Sequence, residues 1–163
     1  MIELNSSSAN FDDILGAIGG TVMRWQDATQ AYDEAVGERL SLNAAERRCL
    51  SFLHAGPQPA GAIAAATSLT PAAITSLIDR LEARGLVRRT RSAEDRRKVM
   101  VETTEKAREA TDRYYRPIAE DGTRFLETFS KEELLAILRF LEGAVELQQR
   151  HLERVRTVEI AEA

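Results

Sequence analysis

Residues 70–102 read TPAAITSLIDRLEARGLVRRTRSAEDRRKVMVE, and this stretch decides the fold. Thr70 suits a helix N-cap, and Pro71 suits the first helical position, where a missing N–H costs nothing. Ile74, Leu77, Ile78 and Leu81 follow at i, i+3, i+4 and i+7, one apolar stripe on a 3.6-residue period. Gly85 ends the helix, because glycine enters the left-handed C′ conformation without steric cost. The run Leu86–Arg89 then reads as a strand. The loop at 90–98 carries one alanine and otherwise polar or charged residues. A second run, Lys98–Glu102, alternates as a strand does. The order is helix, strand, basic loop, strand.

Upstream, Asn43-Ala44-Ala45-Glu46 has the spacing of a capping box. The helix it starts turns Ala45, Cys49, Leu50, Phe52 and Leu53 inward and stops at Gly56-Pro57-Gln58-Pro59. A short alanine-rich helix runs from Ala60 to about Ala66, and Thr67-Ser68-Leu69 is the turn into the helix at Thr70. Two helices joined by a tight turn make a helix-turn-helix, and the hairpin after it makes a winged helix.

Long helices flank this centre. From Asn10 to Val36, Phe11, Ile14, Leu15, Ile18, Val22 and Trp25 recur at intervals of three and four. Gly19-Gly20 inside that run costs about 2 kcal/mol in helix propensity, which points to a kink or a close helix approach. After the hairpin, Thr103 or Thr104 caps a helix running towards Leu126, with Pro117 as a site for a kink. Ser130-Lys131-Glu132-Glu133 is another capping box. It launches a helix bearing Leu134, Ile137, Leu138, Leu141, Val145, Leu152 and Val155. The fold class is therefore mainly α with a small β-hairpin. Its divisions are 1–38, a central 39–103, and 104–163.

The net charge of −4 is unevenly spread. Residues 1–43 hold two basic and seven acidic groups, residues 60–100 eight basic and four acidic, and residues 101–163 ten basic and fourteen acidic. A basic centre between acidic flanks is what a chain shows when only its middle faces phosphates. No apolar run approaches the roughly 18 residues of a membrane span. The first residues lack the basic and apolar regions of a secretory signal, so a cytoplasmic protein with no membrane partner is expected. Cys49 is the single cysteine, which fits a reducing compartment.

In a helix-turn-helix the second helix enters the major groove and its first residues reach base edges. The outward positions there are Ala72, Ala73, Thr75 and Ser76, behind Thr70. Arg80 and Arg84 lie further along, where phosphate is the expected contact. A polar outer face of this kind also suits an ordinary amphipathic helix, so the loop carries the argument. It presents Arg91, Arg96, Arg97 and Lys98, and arginine is drawn into narrow minor grooves. Asp95 stands where a carboxylate orients a guanidinium. Double-stranded DNA is the expected partner. The alternative is a helical interaction module whose winged helix binds protein. Nothing has metal-ligand spacing, since His54 and His151 are far apart and no Cys/His/Asp cluster appears. No phosphate loop or nucleophile elbow is present either, so no cofactor and no enzyme activity are expected.

The chain resembles the multiple-antibiotic-resistance regulator (MarR) family of winged-helix transcription factors. The residues that carry the likeness are Leu42–Glu46, Ile63-Ala64, Leu69–Thr75, Leu77–Val87, Asp95–Val101 and Thr104-Glu105-Lys106. The sharpest element is Asp95-Arg96-Arg97, starting ten residues after Gly85. The sequence departs from the family at Thr103, a position that is often leucine, and at Ala72 and Ala73, where more polar residues are common. The resemblance implies a ligand-responsive regulator, most often a repressor. It also implies a homodimer joined through both terminal helical segments, bound to a pseudo-palindromic operator. Small aromatic or anionic effectors are implied too, with Trp25, Tyr32, Phe52, Tyr114 and Tyr115 as candidate walls and Arg48 as an anion partner. A redox role for Cys49 is disfavoured because it shares a face with Ala45 and Phe52.

This reading makes Arg97 a phosphate and minor-groove contact. Arg97→Ala is expected to weaken binding to every duplex by about 1–3 kcal/mol, with Arg96→Ala similar or smaller. Fluorescence titration of labelled duplexes measures it, and an unchanged affinity removes the wing from the interface.

Overall fold

The computed structural model describes residues 10–92, 95 and 98–157. Six helices and three short strands follow one another: α1 (Phe11–Leu40), α2 (Ala44–Leu53), β1 (Gln58–Pro59), α3 (Ala60–Thr67), α4 (Pro71–Ala83), β2 (Val87–Arg91), β3 (Val99–Thr103), α5 (Glu105–Leu126) and α6 (Lys131–Thr157). The chain divides into two compact units, Met1–Tyr114 and Tyr115–Ala163.

In the first unit the capping chemistry read from sequence is present. Asn43 closes its capping box with Glu46 returning to the cap N–H, and Asn10, which the sequence reading did not single out as a cap, closes another with Asp13. The Thr70 hydroxyl accepts from the Ala73 N–H, and Pro71 begins α4. Gly85 sits at φ +68°, and the adjoining amide of Leu86 donates to the Leu81 carbonyl, closing the helix end. Between Thr103 and Thr104, the cap is Thr104. Its hydroxyl accepts from the Ala107 N–H and donates to the Gly85 carbonyl, joining the start of α5 to the end of α4.

The stripe Ile74, Leu77, Ile78 and Leu81 is buried as expected. It packs with Cys49, Leu50 and Leu53 of α2, Ile63 of α3, and Leu86, Val87, Val101 and Ala107. Ala45 and Phe52 border this core rather than sit inside it. The sheet is antiparallel with strand order β1-β3-β2, and Arg89 stands opposite Val101. Inward-facing Val87 and Val101 supply its core face, as the two-residue period of a strand requires.

The structure departs from the sequence reading in several places. α1 continues past Val36 to Leu40, where Ser41 adopts φ 51° and ends it. α5 reaches Leu126 with Pro117 inside it, as the sequence reading has it. Thr67 belongs to α3, not to the turn: its side chain is buried and its hydroxyl donates to the Ile63 carbonyl at 2.7 Å. Strand β1 was not foreseen. It is two residues long and ends in a proline at a sheet edge, so no alternation announces it.

In the second unit the end of α5 leads through a turn into α6. Ser130 caps α6 and Glu133 returns to its N–H, and this hydrogen bond holds the Glu133 carboxyl below its usual range. Phe125 and Phe129 meet edge to face at 5.2 Å. No residue of α6 is buried, although Leu135, Leu138, Phe140, Val145, Leu147, Leu152 and Val155 are all exposed.

Leu81 is fully enclosed where α4 meets the core. Leu81→Ala leaves a cavity there and is expected to cost about 2–5 kcal/mol of stability, read from urea unfolding by circular dichroism.

Candidate nucleic-acid interface

Helix α4 meets solvent through its first two turns. Pro71, Ala72, Ala73, Thr75 and Ser76 are all exposed, and the buried stripe faces the opposite way. The Thr75 hydroxyl donates to the Pro71 carbonyl at 2.9 Å and the Ser76 hydroxyl to the Ala72 carbonyl at 3.2 Å. Small side chains and back-bonded hydroxyls keep this surface low, so a base edge can approach the helix closely.

The wing joins α4 through Arg89 on β2. Its guanidinium pairs with Asp79 at 2.5 Å and with Glu82, and its backbone N–H also donates to Glu82 at 3.2 Å. The hydrogen bond to Asp79 is the main reason the Arg89 pKa rises above the ordinary guanidinium value. Two carboxylates of α4 thus grip one arginine of the hairpin, which ties the exposed helix to the wing. Arg88 is held across the sheet by Glu102 at 2.7 Å. Arg91 and Lys98 stand exposed at the open end of the hairpin, and the Ser92 N–H donates to the Lys98 carbonyl. Arg96 and Arg97 lie outside the described residues, and with them the pairing expected of Asp95. The Asp95 carbonyl accepts from the Lys98 N–H at 2.9 Å.

A second cluster sits behind α4. Glu46 is buried, caps α2 through the Asn43 N–H at 3.1 Å, and faces two arginines of the helix. Arg80 Nε lies 3.4 Å from its Oε1 and Arg84 Nη1 lies 3.7 Å from its Oε2. Arg84 also donates to the Leu40 carbonyl at 2.7 Å and the Ser41 carbonyl at 2.9 Å, at the end of α1. Lys106 donates to the Arg84 carbonyl at 2.8 Å. Arg84 was read from sequence as a phosphate contact. In the structure its donors serve the protein, tying α4 to α1 and α2. Arg80 is tethered at Nε but remains more than half exposed, so its outer nitrogens still face solvent.

Sequence reasoning missed Arg89, and it gave Glu46 only half of its role. The signal for Arg89 was present as Asp79 and Glu82, ten and seven residues earlier. Its meaning depends on the chain reversing at Gly85.

Of the candidate effector residues, Tyr32 and Tyr114 come together: the Tyr32 hydroxyl donates to the Tyr114 carbonyl at 2.6 Å. Phe52 packs on the winged-helix core, whereas Trp25 and Arg48 are exposed. Tyr115 falls in the second unit. Burial and the nearby Glu46 carboxylate push the Cys49 thiol up to about 11, so it stays protonated and unreactive near neutrality. Among the described residues, no group of three or more His, Cys, Asp or Glu is placed to hold a metal ion, and no single helix is long and apolar enough to cross a membrane.

Residues 40–98, from the end of α1 to the wing, match the model of the MarR family. Over this stretch the chain is similar to the MarR family. The matched stretch runs from the end of α1 through α2, α3, α4 and β2, which is most of the winged helix described above. Across 129 residues the chain is 29% identical to the uncharacterized HTH-type transcriptional regulator YcgE of Bacillus subtilis (strain 168), covering 78% of this chain and 84% of that protein. The fold resembles that of a MarR family protein from Bacillus stearothermophilus, with a TM-score of 0.63 at 20% identity over 86% of this chain and 99% of that one. It also resembles the YusO protein from Bacillus subtilis, with a TM-score of 0.58 at 21% identity over 85% of this chain and 99% of that one.

Glu46 both caps α2 and balances two arginines, so its loss leaves an uncapped helix and uncompensated cations. Glu46→Ala is expected to lower stability by about 1–3 kcal/mol. Urea unfolding monitored at Trp25 and by circular dichroism measures it.

Proposed function

We propose that this regulator binds double-stranded DNA in the cytoplasm as a homodimer on a pseudo-palindromic operator, and that it acts as a ligand-responsive repressor. Residues 39–103 form the DNA-binding domain, and residues 1–38 and 104–163 the dimerisation segments. The observation that carries the reading is the Arg89 tie. It holds the exposed first turns of α4 and the basic hairpin as one rigid head, with Arg91 and Lys98 on the same hairpin. In this arrangement Ala72, Ala73, Thr75 and Ser76 face the major groove. Thr70, whose hydroxyl hydrogen is still available, meets phosphate at the start of the helix. Arg91, Arg96, Arg97 and Lys98 enter the minor groove beside it.

The dimer rests on exposed apolar surface. α1 exposes Phe11, Ile14, Leu15, Ile18, Met23 and Trp25, and α6 exposes Leu135, Leu138, Phe140, Val145, Leu147, Leu152 and Val155. Exposed apolar residues in this number on two helices suit an interface. Both stripes belong to one chain and lie outside the winged helix, so a second copy covers them. Two-fold symmetry then sets half-sites about one helical turn, ~10 base pairs, apart. An aromatic or anionic effector near Trp25, Tyr32 and Tyr114 would change the separation of the two heads and weaken the fit to a rigid duplex.

Binding to a duplex pool should weaken steeply with salt. A head that neutralises six or more phosphates requires a slope of log affinity against log salt near about −5 or steeper. Sedimentation of the same sample should show two chains per duplex. A single-chain complex, or an affinity that ignores salt, refutes the proposal and favours a winged helix that binds protein.

A further inference from the structure

Helix α4 offers an unusual chemistry to a base edge. Its exposed first two turns present two methyl groups, Ala72 and Ala73, and two hydroxyls, Thr75 and Ser76. A carbonyl oxygen can only accept, so the hydroxyls of Thr75 and Ser76 spend their single hydrogens on the Pro71 and Ala72 carbonyls. What remains facing outward is lone pairs. The first cation along the helix is Arg80, and its Nε is turned towards the buried Glu46. The carboxylate of Asp79, the other polar group on this face, is taken by Arg89. Methyl groups and hydrogen-bond acceptors are thus what the reading turns offer.

The major groove complements each of these differently. Thymine offers a C5 methyl for apolar contact. Adenine N6 and cytosine N4 offer amino hydrogens to an acceptor. Guanine offers only the acceptors N7 and O6, and its usual partner is arginine or lysine. We infer that α4 selects its half-site through thymine methyls against Ala72 and Ala73 and through adenine or cytosine amino groups donated to Thr75 and Ser76, with no reading of guanine N7. This inference rests on the proposal that α4 enters the major groove, and it adds which edges the helix recognises there.

The test starts from duplexes selected from a randomised pool by the full-length protein, then altered one atom at a time. Replacing half-site thymines by deoxyuridine removes only the C5 methyl. Affinity should fall about fourfold at each contacted thymine, the ratio that ~0.8 kcal/mol for one buried methyl group gives. Replacing half-site guanines by 7-deazaguanine removes N7 and should leave affinity within twofold. Thr75→Val keeps the side-chain shape but removes the acceptor, so selection repeated with that variant should relax at one base position. Loss of tenfold or more with 7-deazaguanine, or indifference to every thymine methyl, overturns the inference while leaving DNA binding intact. A protein that selects no duplex at low salt overturns the underlying major-groove reading, and the inference falls with it.

Discussion

Glu46 is the constraint on which the placement of α4 depends. A buried carboxylate is costly unless its oxygens are matched, and this one is matched several times over. It accepts from the Asn43 N–H to cap α2 and faces Arg80 and Arg84 on α4. Arg84 carries the same connection on to the last carbonyls of α1. The apolar stripe of α4 makes that helix bury one face, but a stripe of leucine and isoleucine tolerates sliding and rotation. Directional bonds from one carboxylate remove that freedom. The arginines on the back of α4 thus set its orientation, and its first two turns are left free of charge.

The front of the same helix is governed by a second ion-pair set. Asp79 and Glu82 converge on Arg89, so the hairpin that carries Arg91 and Lys98 cannot swing independently of α4. These pairs are partly exposed, and pairs of that kind contribute little to stability. Their importance is geometric. On the proposed reading a helix in one groove and a wing in the next must keep a fixed separation to fit a duplex, and a two-carboxylate grip on a single guanidinium would hold that separation. The same grip neutralises the acidic residues of α4, which would otherwise repel phosphate.

The terminal helices follow a different logic. α1 and α6 are well capped and strongly periodic, yet they bury little of their apolar surface. Tertiary packing normally supplies most of a helix's stability. Exposed stripes of this length are therefore incomplete structures, and the proposed dimer is what would complete them.

Local chemistry was legible in the sequence. The capping boxes at Asn43 and Ser130, the Thr70-Pro71 start, the Gly85 stop and the stripe from Ile74 to Leu81 each depend on neighbours within a few residues, so spacing alone specified them. The same spacing gave the winged helix and the likeness to its family, and it placed the exposed face of α4. What spacing could not reveal were contacts between residues far apart in the chain. Arg84 reads like any exposed arginine until the end of α1 is brought beside it, and Arg89 reads as wing charge until the turn at Gly85 folds β2 back onto α4. The two residues of β1 became a strand only because β3 lay alongside. Hydrogen bonds and ion pairs need their partners within about 3–4 Å, and only the folded chain decides which groups come that close.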